Sequence, residues 1–162
     1  MKLKGSCHCK AVQFELISQT PYPYMYCYCS ICRKTAGGGG YAINIMGKAQ
    51  TLKIKGKKNV QIYHAILGKQ KGKIIKSRGQ RLFCKKCASC LWVFDPEWPL
   101  LIHPFASAID TKLPKPPDRN HIMTKYAANW CDIPHGKHEF LFPRYPDESI
   151  EEWHERHKLK SS

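Results

Sequence analysis

Gly5-Ser-Cys-His-Cys-Lys-Ala-Val-Gln-Phe-Glu-Leu16 decides the reading of this chain: a Cys-x-Cys pair, Cys7 and Cys9, runs straight into an alternating segment. Val12, Phe14 and Leu16 alternate with Gln13, Glu15 and Ile17, the period of a strand with one face buried. Two further cysteine clusters follow, Cys27-Tyr-Cys-Ser-Ile-Cys32 and Cys84-Lys-Lys-Cys-Ala-Ser-Cys90, while Cys131 stands alone as a small apolar side chain. A disulfide scaffold spreads its cysteines, because a bridge stabilises most when it closes a long loop. Nine cysteines, eight of them in three tight clusters, argue instead for metal. A Cys-x-x-Cys turn aims two sulfurs at one ion about 2.3 Å away, and Cys-x-Cys does so from a sharply turned strand end. All-sulfur ligation selects zinc or an iron–sulfur cluster. Neither common ferredoxin spacing is present, which favours zinc.

Cys7 and Cys9 with Cys84 and Cys87 would make a four-thiolate site that locks distant parts of the fold together. Cys27, Cys29 and Cys32 would then form a three-thiolate set with a fourth position open, the pattern of a catalytic rather than a structural zinc. Cys90 could instead fill that position and close the site. Spacing leaves both arrangements open.

Outward from the clusters, the chain reads as many short β segments. Tyr41 to Met46, Leu52 to Ile54, Val60 to Ile66, Lys73 to Lys76 and Leu91 to Phe94 are strand-like, divided by Gly47, Gly56, Gly68 and Gly72. Pro21 and Pro23 break the first strand before the second cluster. Gly37 to Gly40 make a flexible turn, and Pro114, Pro116 and Pro117 a surface loop. Glu148 to Lys160 has helical composition, acidic first and basic last, which complements the helix dipole. Trp92, Trp98 and Trp130 are expected in the core or in a pocket wall. With 162 residues, 43% hydrophobic, this is one globular unit. No apolar run approaches the roughly 20 residues that span a bilayer, and the first residues lack the apolar core of a secretory signal. A cytoplasmic protein with no membrane segment is expected.

Formal charge is +15, and all of the excess sits in one half. No acidic residue occurs between Glu15 and Asp95, a window holding 15 lysines and arginines. Such a field attracts anions, either small metabolites or nucleic acid. With Tyr26, Tyr28, Tyr41 and Tyr63 interleaved, this half could grip nucleic acid through phosphates and stacking.

The stretches Gly5 to Phe14, Cys27-Tyr-Cys-Ser-Ile-Cys-Arg-Lys34 and Arg81-Leu-Phe-Cys-Lys-Lys-Cys87 resemble the glutathione-dependent formaldehyde-activating family, also called the centromere-protein-V/formaldehyde-activating domain. His121-Ile-Met-Thr-Lys-Tyr-Ala-Ala-Asn-Trp130 and the Pro-rich segment from Phe142 to Pro146 are looser matches. The resemblance implies a mainly β, Mss4-like β-tent of short antiparallel strands organised by two zinc ions, over residues 1–147, with a short C-terminal helix or tail over 148–162. It implies a structural zinc on Cys7, Cys9, Cys84 and Cys87, and a second zinc, tied to catalysis, on Cys27, Cys29 and Cys32. A Gly usually follows the second cysteine of the Cys-x-x-Cys pair in that family; here it is Ala88.

The implied activity is that of a zinc-dependent carbon–sulfur lyase handling a glutathione–aldehyde adduct such as S-hydroxymethylglutathione. The partner is then a small thiol such as glutathione, whose two carboxylates suit a basic surface. Arg33 and Lys34, directly after Cys32, are the nearest candidates to hold them. His8 lies between two ligands and is expected to point away. His64, His103 and His121 read as strand or loop histidines, and His154 and His157 as a pair able to pick up stray metal. The alternative function is a non-catalytic zinc module, with nucleic acid as the partner of the basic half.

Overall fold

The computed structural model describes residues 1–159. In chain order its strands and helices are β1 (Lys2–Ser6), β2 (Gln13–Ile17), β3 (Tyr24–Cys27), α1 (Ser30–Ala36), β4 (Ala42–Asn44), β5 (Gly47–Lys48), β6 (Lys53–Lys55), β7 (Val60–Gln70), β8 (Lys73–Cys84), β9 (Cys90–Phe94), β10 (Leu101–Pro104), β11 (Arg119–Ile122), β12 (Glu139–Leu141) and α2 (Ile150–Arg156). Three sheets result, in the orders β1-β2-β6, β5-β10-β9-β8-β7 and β12-β11-β3-β4. The fold is mainly β, as expected.

The alternation after Cys9 does what its period requires. Phe14 and Leu16 are buried while Gln13 and Ile17 face solvent, with β2 antiparallel between β1 and β6. Phe14 meets the fully buried Trp92 edge to face at 5.0 Å, a geometry aromatic quadrupoles favour. Leu3, Val12, Leu91, Ile102 and Phe105 complete this core.

Two features depart from a tent of short antiparallel strands. β11 pairs in parallel with both β3 and β12, so the third sheet is mixed. Parallel neighbours need long connections, and here more than 90 residues separate β3 from β11. The hairpin β7–β8 is also long, 11 and 12 residues, because Gly68 and Gly72 lie within its tip rather than ending strands. The Pro114–Pro117 segment is an irregular loop, as expected, and accepts hydrogen bonds from the Tyr22 and Tyr24 hydroxyls at Lys115 and Pro114.

At the C-terminal end, α2 opens with a capping box between Ser149 and Glu152, which satisfies two otherwise orphaned amides. Trp153 is buried against Tyr22 and stacks on His157 at 3.7 Å. His154 bonds the Tyr22 carbonyl, and His157 bonds Asp118 and the Trp153 carbonyl. Both rings are thus engaged in holding α2 rather than facing each other as a metal pair. The helix is shorter than the composition of residues 148–160 indicates, and 160–162 lie outside the described residues. Of the other tryptophans placed in the core or a pocket wall, only Trp92 is buried. Trp98 and Trp130 are each 60% exposed, because each sits in a turn that carries its ring outward.

Candidate metal centres

The first centre joins two knuckles. One follows the end of β1 and carries Cys7 and Cys9; the other follows the end of β8 and carries Cys84 and Cys87. The four sulfurs lie within 4.8 Å of one another. Cys7 Sγ is 3.6 Å from Cys9 Sγ, which is 3.8 Å from Cys84 Sγ across 75 residues of chain. An ion about 2.3 Å from four sulfurs spaces them about 3.8 Å apart at the corners of a tetrahedron, so these distances fit such an ion. Each knuckle closes in the same way. Lys10 and Ala88, directly after the second cysteine of each pair, adopt left-handed backbone, at φ +59° and +58°. Their amides return to the carbonyls of Cys7 and Cys84 at 3.0 and 2.8 Å. The turn a glycine would make easily is therefore present with Ala88, at a steric cost of about 1 kcal/mol. The Val12 amide donates to Cys7 Sγ, and the His8 amide ties the knuckles through Ser89 Oγ. His8 is exposed and its ring is not among the converging ligand atoms, as its place between two ligands implies.

The second centre is built by the junction of β3 with α1. Cys27 ends β3, pinned between Ala42 of β4 and Ile122 of β11. Cys29 is the N-cap of α1, its sulfur accepting the Cys32 amide at 3.3 Å. One helical turn then places Cys32 beside it. The three sulfurs lie within 4.8 Å of one another, with Cys27 and Cys32 buried and Cys29 half-buried. Hydrogen bonds from Cys27 and Cys32, helped by the Cys32 and Ile31 amides, draw the Cys29 thiol down to about 2. Its neighbours' sulfurs push Cys27 far above the ordinary thiol range. Three sulfurs this close cannot all lose their protons without a cation among them, and a zinc ion is the cation their softness suits.

Cys90 does not belong to this set. Its thiol donates to the Thr35 carbonyl at 2.8 Å, and burial raises its pKa, which keeps the proton in place. The three-sulfur arrangement is thus the one the fold presents, and Cys90→Ala is expected to leave the metal content per chain unchanged. Loss of an equivalent on elemental analysis would contradict that.

Two residues not assigned from the sequence converge here. Arg81, in β8, directs Nη2 to Cys32 Sγ at 3.4 Å, and its positive charge partly offsets the upward pKa shifts of Cys32, Cys90 and Tyr145. Its buried Nε has no hydrogen-bond partner, and neither has that of Arg33. Arg81 lies within a quoted motif, but only the pairing of β8 with β9 brings it to α1. Tyr145 approaches because the Met123 amide, one residue past β11, donates to the Arg144 carbonyl at 2.8 Å. Its ring is exposed, yet desolvation and the three sulfurs push its hydroxyl up to about 12. Arg33 is half-buried on α1 and Lys34 is exposed one residue on.

Behind the centre lies a buried polar chain. Tyr28 Oη meets His121 Nδ1 at 2.9 Å, His121 Nε2 meets Glu139 at 2.7 Å, and Glu139 pairs with Arg119. Tyr41 packs its ring on both Tyr26 and Tyr28, and Tyr26 and Tyr28 each also pack on His121. These aromatic faces are engaged inside the protein; of the four tyrosines singled out for stacking on bases, only Tyr63 is exposed. His64 bonds the Ser77 carbonyl and His103 has its pKa lowered by burial. Cys131 is half-buried against Gly40, where φ is +95° and a Cβ would stand 2.4 Å from its sulfur. Among the described residues, no helix is long and apolar enough to cross a membrane.

A Halomonas elongata protein carrying the name "Putative glutathione-dependent formaldehyde-activating enzyme" is 54% identical over 156 residues, covering 96% of each chain. A crystal structure of a Rhodobacter sphaeroides protein superposes with a TM-score of 0.52 over 70% of this chain and 92% of that one; at 22% identity it is similar in fold. The sequence profile of the family described as glutathione-dependent formaldehyde-activating enzyme matches residues 2–125, a span that includes both cysteine centres. This chain belongs to the glutathione-dependent formaldehyde-activating enzyme family.

Proposed function

We propose that this protein is a zinc-dependent enzyme of the carbon–sulfur lyase type that makes and breaks the adduct of glutathione with formaldehyde at the Cys27–Cys29–Cys32 centre. The observation that carries the proposal is a set of three converging sulfurs with no fourth: Cys27, Cys29 and Cys32 meet within 4.8 Å and Cys90 turns away. In the forward direction a C–S bond forms between the thiol sulfur and the aldehyde carbon, and the thiol proton ends on the aldehyde oxygen. The reverse reaction breaks that bond.

A free thiol is mostly protonated at neutral pH, and zinc held by Cys27, Cys29 and Cys32 would supply the positive charge that keeps a thiol deprotonated. The chain's own groups do the rest. Arg81, against Cys32, offsets the negative charge of three thiolates, so that a further anion is tolerated there. Tyr145 keeps its proton at neutral pH and can donate it as a hydrogen bond to the aldehyde oxygen. The orphaned guanidinium nitrogen of Arg33, with Lys34 beyond it, suits the carboxylates of glutathione. Cys7, Cys9, Cys84 and Cys87 would hold a second, structural zinc. The site is read as that of a cytoplasmic enzyme with a soluble thiol substrate.

Magnetisation-exchange spectroscopy on formaldehyde mixed with glutathione tests this directly. Added protein is expected to speed interconversion with the adduct; an exchange rate left at the uncatalysed value would refute the activity. Arg81→Met preserves the aliphatic stem and removes the charge. It is expected to lower metal affinity at this centre, or activity, about 10–100-fold, the usual effect of losing a group that supports a ligand. Competition with a chromogenic chelator measures it.

A further inference from the structure

β7 is the outermost strand of the five-stranded sheet, and among the described residues no other strand lies against its free edge. It is 11 residues long, and from Val60 to Gly68 it carries no charged side chain. Ile62, Tyr63, Ile66 and Leu67 are 45%, 41%, 54% and 60% exposed. Monomeric proteins blunt such edges with lysines, prolines or very short strands. Here, apart from Lys69 near the hairpin tip, the basic residues stand one strand further in, as Lys73, Lys76, Arg78 and Arg81 of β8.

The exposure falls on both faces of the sheet. Successive strand residues point to opposite sides, so Ile62 and Tyr63 stand on opposite faces of β7. A partner lying flat on the sheet would cover one of them and leave the other in water. A strand added in the plane of the sheet would meet the free backbone groups and flank both side chains. The stretch is also its own complement. An antiparallel strand and its copy are related by a two-fold axis, and an uncharged segment places no like charges opposite each other. An anionic partner would find its opposite charges mainly on β8; the one lysine of β7, Lys69, lies at the hairpin tip, beyond the regular stretch of the edge. Register shifts between His64 and Ile66 and between Ile66 and Gly68 confine regular pairing to the first half of β7, from Val60 to His64.

We propose that β7 pairs edge to edge with β7 of a second copy of this chain, antiparallel about a two-fold axis, joining the two five-stranded sheets into one. In β7's register with β8, Tyr63 lies opposite Arg81, so the join runs one strand away from the guanidinium on Cys32. The proposal stands on the sheet edge alone and does not depend on the reading of the metal centres.

Light scattering on the full-length protein, over a concentration series in reducing buffer, tests it. The wild type is expected at twice the monomer mass. Ile62→Lys is expected to be monomeric, because the two-fold brings the new charges close together on one face. Ile74→Lys, on β8 and equally exposed but separated from the edge by β7, is expected to remain dimeric. Mixing isotope-labelled with unlabelled wild type should give intermolecular contacts confined to β7, a readout that does not require any variant to fold. A wild type monomeric at every concentration, or a dimer that survives Ile62→Lys, would overturn the proposal. So would intermolecular contacts elsewhere. Binding of single-stranded DNA by a monomer, strengthened by Ile62→Lys, would assign the edge to nucleic acid instead; a lysine that abolishes a dimer and one that strengthens an anion complex act in opposite directions.

Discussion

Cys84→Ser is expected to yield a chain that does not fold stably, with a melting transition lost or displaced by tens of degrees and most of the protein insoluble. Cys84 is fully buried at the end of β8, and its sulfur belongs to the only described group of four cysteines. That group is what fastens the knuckle after β1 to the knuckle after β8. A serine hydroxyl is nearly the right size but is a poor ligand for a soft-binding site. Structural zinc in thiolate sites contributes about 10–16 kcal/mol of apparent binding energy, whereas a domain's whole net stability is about 5–15 kcal/mol. Losing half of the former, about 5–8 kcal/mol, removes a large part or all of the latter. Circular dichroism during heating, with zinc present in excess, provides the check. A cooperative transition within a few degrees of wild type would mean that the first centre is not structural.

Cys29→Ser is expected to do the reverse: keep the fold and lose the activity. Serine is among the best N-cap residues, so the cap of α1 survives the substitution with an oxygen in place of sulfur. Cys27 is still held between Ala42 and Ile122 by backbone pairing that does not involve residue 29. What goes is one of three ligands. Metal content should fall by one equivalent per chain, the melting temperature should move by only a few degrees, and adduct exchange should return to the uncatalysed rate. Full activity with one equivalent missing would place the chemistry elsewhere; collapse of the fold would make the second centre structural as well.

The two centres were legible in the sequence to different depths. Cysteine clustering pointed to metal ligation, and resemblance in three motifs divided seven cysteines into a group of four and a group of three; the fold brings together both groups as divided. Cys90 could not be placed by spacing, because its exclusion depends on where β9 turns it, onto the Thr35 carbonyl at the end of α1. Strands with clean alternation, such as β2, were readable. β3 was not: Pro21 and Pro23 mask its start, and Tyr24-Met-Tyr-Cys27 has no polar residue to show alternation. α1 was hidden because a seven-residue helix opening on cysteines carries little periodicity. Arg81 and Tyr145 reach the second centre only through pairings that join β8 to β9 and β11 to the segment after β12, and no local pattern encodes such pairings. Ala88 shows the opposite failure. Glycine, the residue that takes a left-handed turn most easily, is absent there, yet the closure of the knuckle imposes that turn on alanine.

Elemental analysis of the full-length protein, purified without chelators and under reducing conditions, addresses the central claim most directly. Two zinc ions per folded chain are expected. A well-folded protein that proved metal-free, and took up none on addition of zinc, would contradict it.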